Sequence, residues 1–314
     1  MMRATATLAC SLLALLLAPA AAQVPATATP DAIVKQLLGD ASSPRRGVLF
    51  EVSNGANTLY LFGTIHVGRP DFYPLNAAIT RPLAAAGRVW FELDFSDLGA
   101  LQRMAGAGEY SDGSTLEQRI SPALMRRVET VLGRQGASRE SLHSKKPWAV
   151  IAELVMADAE QLGYSPVFAA DIYLATLAQL LGKPISGLES IDEQIAALSA
   201  MNDEEQKAEL EAVLDALGDG RSGAELKALV EAWARADRAA LETAFRATEG
   251  DLPPTLRNMK RRLFDERNAK LAEKIAAILR SGTPSYVAIG AGHLVGDGSV
   301  VELLRKQGFA VREL

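Results

Sequence analysis

Short β-prone runs alternate with helical stretches along this chain, and the runs end in glycine, acid or histidine. VLFEVSNGANTLYLFGTIH (48–66) alternates apolar residues on both sides of Asn54-Gly55, the pattern of a hairpin whose turn needs positive φ. VWFEL (89–93) is a β-prone core that places Glu92 near its carboxyl end, PISGLE (184–189) places Glu189 just beyond, and SYVAIGAGH (285–293) ends in His293. Helices are predicted over about 75–86, 171–181 and 254–279, with a last one before FAVREL (309–314). This order predicts an α/β fold: a mixed sheet with flanking helices and an N-terminal β-hairpin. Between about 114 and 247, Glu, Lys, Ala and Leu recur at helical spacing with Gly or Pro breaks, which predicts a helical middle layer or cap. No repeat of solenoid period is evident.

The chain has three histidines, and two share the pattern G-x-x-H: Gly63 to His66 and Gly290 to His293. In open α/β sheets ligands gather at the carboxyl ends of strands. His66, Glu92, Glu189 and His293 all fall there, and Gly63, Gly290 and Gly292 let backbone approach a ligand closely. Each residue has a structural alternative. A strand-end histidine can simply hydrogen-bond a carbonyl, Glu92 can pair with Arg88 or cap a helix near Ser96, and Glu189 precedes a helix start that Ser190 can cap. Arg267 can serve only to counter the carboxylates. His143 lacks the glycines and reads as a surface residue, and the acidic run from Asn202 to Asp219 reads as a solvated helix face. Nucleophile-elbow, P-loop and dinucleotide fingerprints do not occur.

Composition narrows the function classes. Arg3 ahead of an apolar stretch from Leu8 to Ala18, with Ala20-Ala21-Ala22 before Gln23, predicts a signal peptide over 1–22 and a periplasmic or secreted product. Residues 23–46 read as a tether and short helix, and 47–314 as the folded domain. The single cysteine, Cys10, lies in the signal, so disulfides and thiolate metal sites are excluded from the mature chain. Removal of Arg3 leaves 32 basic against 38 acidic residues, net −6. That balance excludes nucleic acid as a partner, and no later segment is long and apolar enough for stable membrane insertion.

YLFGTIHVG, VWFELD, KKPW (145–148), GKPISGLES with Gln194 after it, ERN (266–268) and VAIGAGHLVGDGSVVELLRKQGF together resemble the TraB/PrgY/GumN family. That family includes the TIKI-type proteases and is related in fold to erythromycin-esterase-like and ChaN-like proteins. The resemblance implies a metal-dependent hydrolase whose site holds the two histidines, His66 and His293, and the glutamate Glu92. Glu189 and the pair Arg267-Asn268 match further motif positions. In FAADIY, Ala170 stands where family members commonly have glycine, which weakens any role for the loop before Asp171.

Two neutral imidazoles and a carboxylate suit a divalent metal such as Mn, Co or Zn with an open water position. With the resemblance to a family that includes the TIKI-type proteases, the expected activity is cleavage of peptide or amide bonds in a peptide or small-molecule substrate. Two alternatives stand beside it: an esterase-like hydrolase that uses histidine as base without metal, and a non-catalytic peptide- or polysaccharide-related binding protein.

Overall fold

The computed structural model describes residues 30–94, 97–135, 139–247 and 261–314. The expected signal peptide, its cleavage point and residues 23–29 of the tether lie outside the described residues, as do Ser96 and the first residues, 254–260, of the helix expected over about 254–279. α1 (Pro30–Leu38) precedes the hairpin of β1 (Leu49–Ser53) and β2 (Thr58–Thr64). α2 (Ala77–Ala85) leads into β3 (Arg88–Phe91), and α3 (Leu98–Ala107), α4 (Leu116–Arg119), α5 (Pro122–Gln135), α6 (Pro147–Gln161) and α7 (Ala170–Leu180) follow it. β4 (Ile185–Gly187) is succeeded by α8 (Ile191–Ser199), α9 (Asp203–Gly218), α10 (Arg221–Ala234) and α11 (Arg238–Ala247). A π-helical turn at Arg261–Asp265 runs into α12 (Glu266–Ser281), and β5 (Ser285–Gly290), α13 (Val300–Lys306) and β6 (Ala310–Glu313) complete the described chain.

The six strands form one mixed sheet in the order β4-β3-β5-β2-β1-β6. β2, β5, β3 and β4 are mutually parallel, whereas β1 runs antiparallel to β2 and β6. The hairpin turns at Gly55, with φ of +90°, and the Asn54 side chain accepts the N–H groups of Ala56 and Asn57. That is the asparagine-glycine turn chemistry read from the sequence. All six residues of β5 are buried, as expected for a central parallel strand covered on both faces.

Sheet register positions the site. Thr64 at the end of β2 pairs with Gly290 at the end of β5, and Phe91 at the end of β3 pairs with Ala288. The carboxyl ends of strands far apart in sequence therefore open onto one rim. β4 extends that rim, because the Leu188 N–H donates to Phe91 O and the Glu189 N–H to Glu92 O.

The stretch expected to be a helical layer contains α4 to α11 but is interrupted by β4, which joins the sheet. α6 begins at KKPW, with Pro147 in its first turn, where its missing N–H costs nothing, and with Trp148 buried. Ser190 caps α8 and Asn202 caps α9, each in a reciprocal capping box. His143 is exposed. Among the described residues no helix is long and apolar enough to cross a membrane.

One expectation about α9 is corrected. Its acidic run is not a uniformly solvated face, because α9 packs against α5, α6 and α10 and turns Glu205, Gln206 and Glu209 inward. Glu209 is fully buried, and among the described residues neither carboxyl oxygen has a hydrogen-bond partner. Burial pushes its pKa from 4.5 up to about 8, so the folded chain keeps a proton that the unfolded chain releases. Stability is then lost as pH rises from 4.5 through about 8. Glu209→Gln is expected to leave urea-unfolding stability nearly unchanged at about pH 4.5 and to raise it on the order of 2–3 kcal/mol at about pH 9. A gain of equal size at both pH values would contradict a buried neutral acid.

Candidate functional site

His66 follows β2 by two residues and is held from the helical side. The Ala170 N–H donates to Ile65 O at 2.8 Å, and Gly68 and Ser165 exchange backbone hydrogen bonds of 3.0 and 2.8 Å. These contacts bring the first turn of α7 against the loop, where Asp171 Oδ2 lies 2.8 Å from His66 Nδ1. The other ring nitrogen, Nε2, faces the rim. Burial opposes charge on this imidazole, but the Asp171 carboxylate, its hydrogen bond and Glu92 outweigh that and push the pKa up to about 9.

His293 sits in the turn after β5 and is almost fully buried. Its Nδ1 is 2.6 Å from Asn268 Oδ1, and the Asn268 amide donates to Gly298 O at 3.0 Å. Because that amide nitrogen is committed to a carbonyl, its oxygen faces the ring, Nδ1 carries the proton and Nε2 is left as an acceptor. Burial lowers the His293 pKa to about 4, so the ring is neutral at pH 7.

Glu92 lies one residue beyond β3, between the two histidines. Its Oε1 accepts the Gly290 N–H at 2.5 Å and stands 3.8 Å from His293 Nε2, while its Oε2 accepts Arg267 at 3.0 Å. Burial works against this carboxylate, but His293, Arg267, His66 and the Gly290 N–H hold its pKa down at about 2. Arg267, on α12, also forks onto Glu189, with contacts of 3.0 Å to Oε1 and 2.5 Å to Oε2, and Gln194 donates to Glu189 Oε2 at 3.1 Å. Its carboxylate partners, Glu189 foremost, overcome burial and hold the guanidinium pKa well above the ordinary arginine value.

Gly290 is the centre of this cluster. A Cβ there would lie 3.1 Å from Glu92 Oε1, 3.5 Å from His66 Nε2 and 3.7 Å from His293 Cδ2. Glycine suits this position because the three side chains close around the space a Cβ would fill, so that Glu92 would have to shift by a few tenths of an ångström, and not because of its φ. The structure thus brings His66, Glu92, Glu189, Arg267, Asn268 and His293 together at one rim. Asp171 belongs with them and was absent from the sequence-derived set. Its signal was its place in a motif, but the Ala170 departure had weakened it; in the fold, Ala170 is buried and supplies the N–H that docks α7.

A metal can be tested against these donors. Both imidazoles have Nδ1 held by an oxygen and Nε2 free toward the rim, the arrangement of metal-ligating histidines. His293 Nε2 and Glu92 Oε1, both acceptors, face each other at 3.8 Å, which favours a cation or a proton donor between them. Glu92 is more constrained as a ligand, since both its oxygens already accept protein hydrogen bonds. Accordingly, among the described residues no group of three or more His, Cys, Asp or Glu side chains is disposed to hold an ion. Each histidine presents an Nε2 of the kind that ligates metal, whereas Glu92, the expected third ligand, already accepts hydrogen bonds at both oxygens.

Paired G-x-x-H histidines at neighbouring parallel strand ends, with a buried glutamate between them, thus form the candidate site of this α/β protein. Residues 48–313 match the TraB/PrgY/gumN family, and the chain belongs to it. It is 24% identical over 302 residues to metalloprotease TIKI2 of Danio rerio, covering 80% of this chain and 57% of that protein. It is 28% identical over 255 residues to YbaP of Escherichia coli, covering 80% of this chain and 89% of YbaP. Human metalloprotease TIKI1 is 24% identical over 305 residues, with coverages of 80% and 59%. The chain thus spans a little over half the length of these TIKI proteases and nearly all of YbaP. No solved structure matches significantly.

Two substitutions test the cluster. Arg267→Ala leaves Glu92 and Glu189 buried without their cation and is expected to cost about 3–5 kcal/mol in urea unfolding. Arg267→Lys should recover only part of that, since an ammonium cannot fork onto both acids. The stability that Asp171 confers through His66 is complete below the ordinary imidazole value of 6.5 and lost as pH rises through about 9. Asp171→Asn should therefore destabilise more at about pH 6 than at about pH 10, and an NMR titration should show the His66 pKa falling by at least about two units.

Proposed function

We propose that the chain is an exported hydrolase of peptide or amide bonds in which His66 and His293 hold a divalent metal such as Mn, Co or Zn. The observation that supports this reading is the convergence of His66 Nε2, Glu92 Oε1 and the His293 ring on the space that a Cβ at Gly290 would fill. The relation to TIKI metalloproteases supports it independently. When bound, such a metal polarises a carbonyl and lowers the pKa of its water. Asp171 and Asn268 orient the imidazoles, and the raised His66 pKa makes metal uptake compete with a proton. Glu92 accepts a hydrogen bond from the attacking water and remains a carboxylate, because Arg267 and the Gly290 N–H stabilise its charge. Glu189 and Gln194 fix Arg267 in place for that purpose.

A second reading is favoured by the prior engagement of both Glu92 oxygens. In it no metal takes part: neutral His293 removes a proton from water, Asn268 holds the required tautomer and Glu92 stabilises the resulting imidazolium. His66, protonated at neutral pH, is the poorer base.

Metal analysis of protein recovered from the exported fraction without chelator separates the two. Stoichiometric metal is expected, lost in His66→Ala and in His293→Ala, with peptide-library hydrolysis abolished in each and the double variant little worse than either single. Activity retained in metal-free protein would favour the histidine base, and retention of unmodified peptide without cleavage would favour a binding protein. Gly290→Ala should lower metal content and kcat/KM at least about tenfold while melting near the parent temperature. The mature chain should begin near Gln23 and be released by osmotic shock.

A further inference from the structure

The polar cluster occupies only one side of its cavity. The opposite wall comes from the helical layer. Leu226, Leu229 and Trp233 lie on one face of α10, at spacings of three and four residues, and Leu241 and Phe245 lie on one face of α11. Phe264, from the π-helical turn, closes the corner with its ring 5.4 Å from that of His293. Trp233 is itself anchored, donating from Nε1 to Gly63 O at 2.9 Å, so the wall is tied to the strand that carries His66.

We propose that this wall is a specificity pocket for a branched aliphatic side chain, leucine, isoleucine or valine, next to the bond that His66 and His293 address; the reaction rests on the hydrolase reading above, the pocket's binding preference does not. Charge finds no partner there. The ionic groups on the cavity are already paired, Arg267 with Glu92 and Glu189 and His66 with Asp171, so a charged side chain entering would lose hydration without full compensation. An apolar side chain loses nothing and buries its surface against six apolar residues.

Volume selects among apolar groups. The cavity measures about 50 Å³, well below the roughly 150 Å³ of an apolar cavity that takes up a benzene ring. That suits a branched aliphatic group. Phe245 and Phe264 pack closely over Gly292, where an added Cβ would come within 2.8 Å of the Phe245 ring and 3.4 Å of the Phe264 ring, so these two rings set the width of the pocket.

The test uses the mature full-length chain and blocked tetrapeptides Ala-Ala-X-Ala with X as Leu, Phe or Asp, with binding read by calorimetry and cleavage by mass spectrometry. The leucine peptide is expected to bind at least about tenfold more tightly than the aspartate peptide, the return on burying one aliphatic side chain. Phe245→Trp, which fills the cavity, should weaken the leucine peptide at least about tenfold, and Phe245→Ala, which opens it, should bring the phenylalanine peptide up to the leucine one. Melting curves of both variants confirm that they fold, and either alone suffices to test the pocket. Equal binding of the leucine and aspartate peptides, or an unchanged preference in a folded Phe245 variant, overturns the pocket. Selective binding without cleavage would leave the pocket standing and sink the hydrolase reading, whereas cleavage indifferent to X would do the reverse.

Discussion

β2 and β5 pair in parallel with Thr64 opposite Gly290, and every distance in the site follows from that register. A one-residue slip would turn each strand's side chains to the other face, yet all of β5 and most of β2 are buried on both sides. The apolar core therefore holds the two histidine turns side by side, although 227 positions separate His66 from His293. β3, on the far side of β5, adds Glu92 at the same level. Burial fixes the sheet, and the sheet fixes the chemistry at its rim.

Around that rim, the buried charges are paired with one another. Arg267 is the shared cation for two buried carboxylates, Glu92 and Glu189, and Gln194 completes the bonding of the second. Asp171 favours a charged His66, while burial and the Asn268 oxygen leave His293 neutral. Two imidazoles in one centre thus differ in protonation because one faces a carboxylate and the other an amide. Such divergence between neighbouring titratable groups is the usual mark of a site with assigned acid and base roles.

The helical layer does two things at once. Through Ala170 and Asp171, α7 docks the first histidine turn, and through α10 and α11 the layer supplies the apolar wall opposite the polar cluster. Glu209, sealed in the same layer with no hydrogen-bond partner among the described residues, costs stability as pH rises above the ordinary carboxylate range. A group kept at such cost stands apart from the satisfied network at the rim.

Local chemistry was readable directly from the residues. Asn54-Gly55 could only mark a tight turn, VWFEL and SYVAIG could only be buried strands beside helices, and two G-x-x-H units among three histidines pointed to one shared place at the strand ends. These are short-range signals, carried by turn propensity, β-propensity and the small size of glycine. What linear order could not express was which helix would cover which loop. Asp171 gave no local sign of binding His66, Ser190 signalled only a helix cap beside Glu189, and the acidic α9 run looked solvated until packing turned Glu209 inward. Whether Glu92 meets a metal, a histidine or an arginine depends on the crossing of β3 and β5 with α12, elements brought together by burial of their apolar faces. The sequence determined the strand ends, the turns and the kinds of side chain at them; only the tertiary structure decided their partners, because hydrogen bonds and charge pairs act over a few ångströms that chain connectivity does not specify.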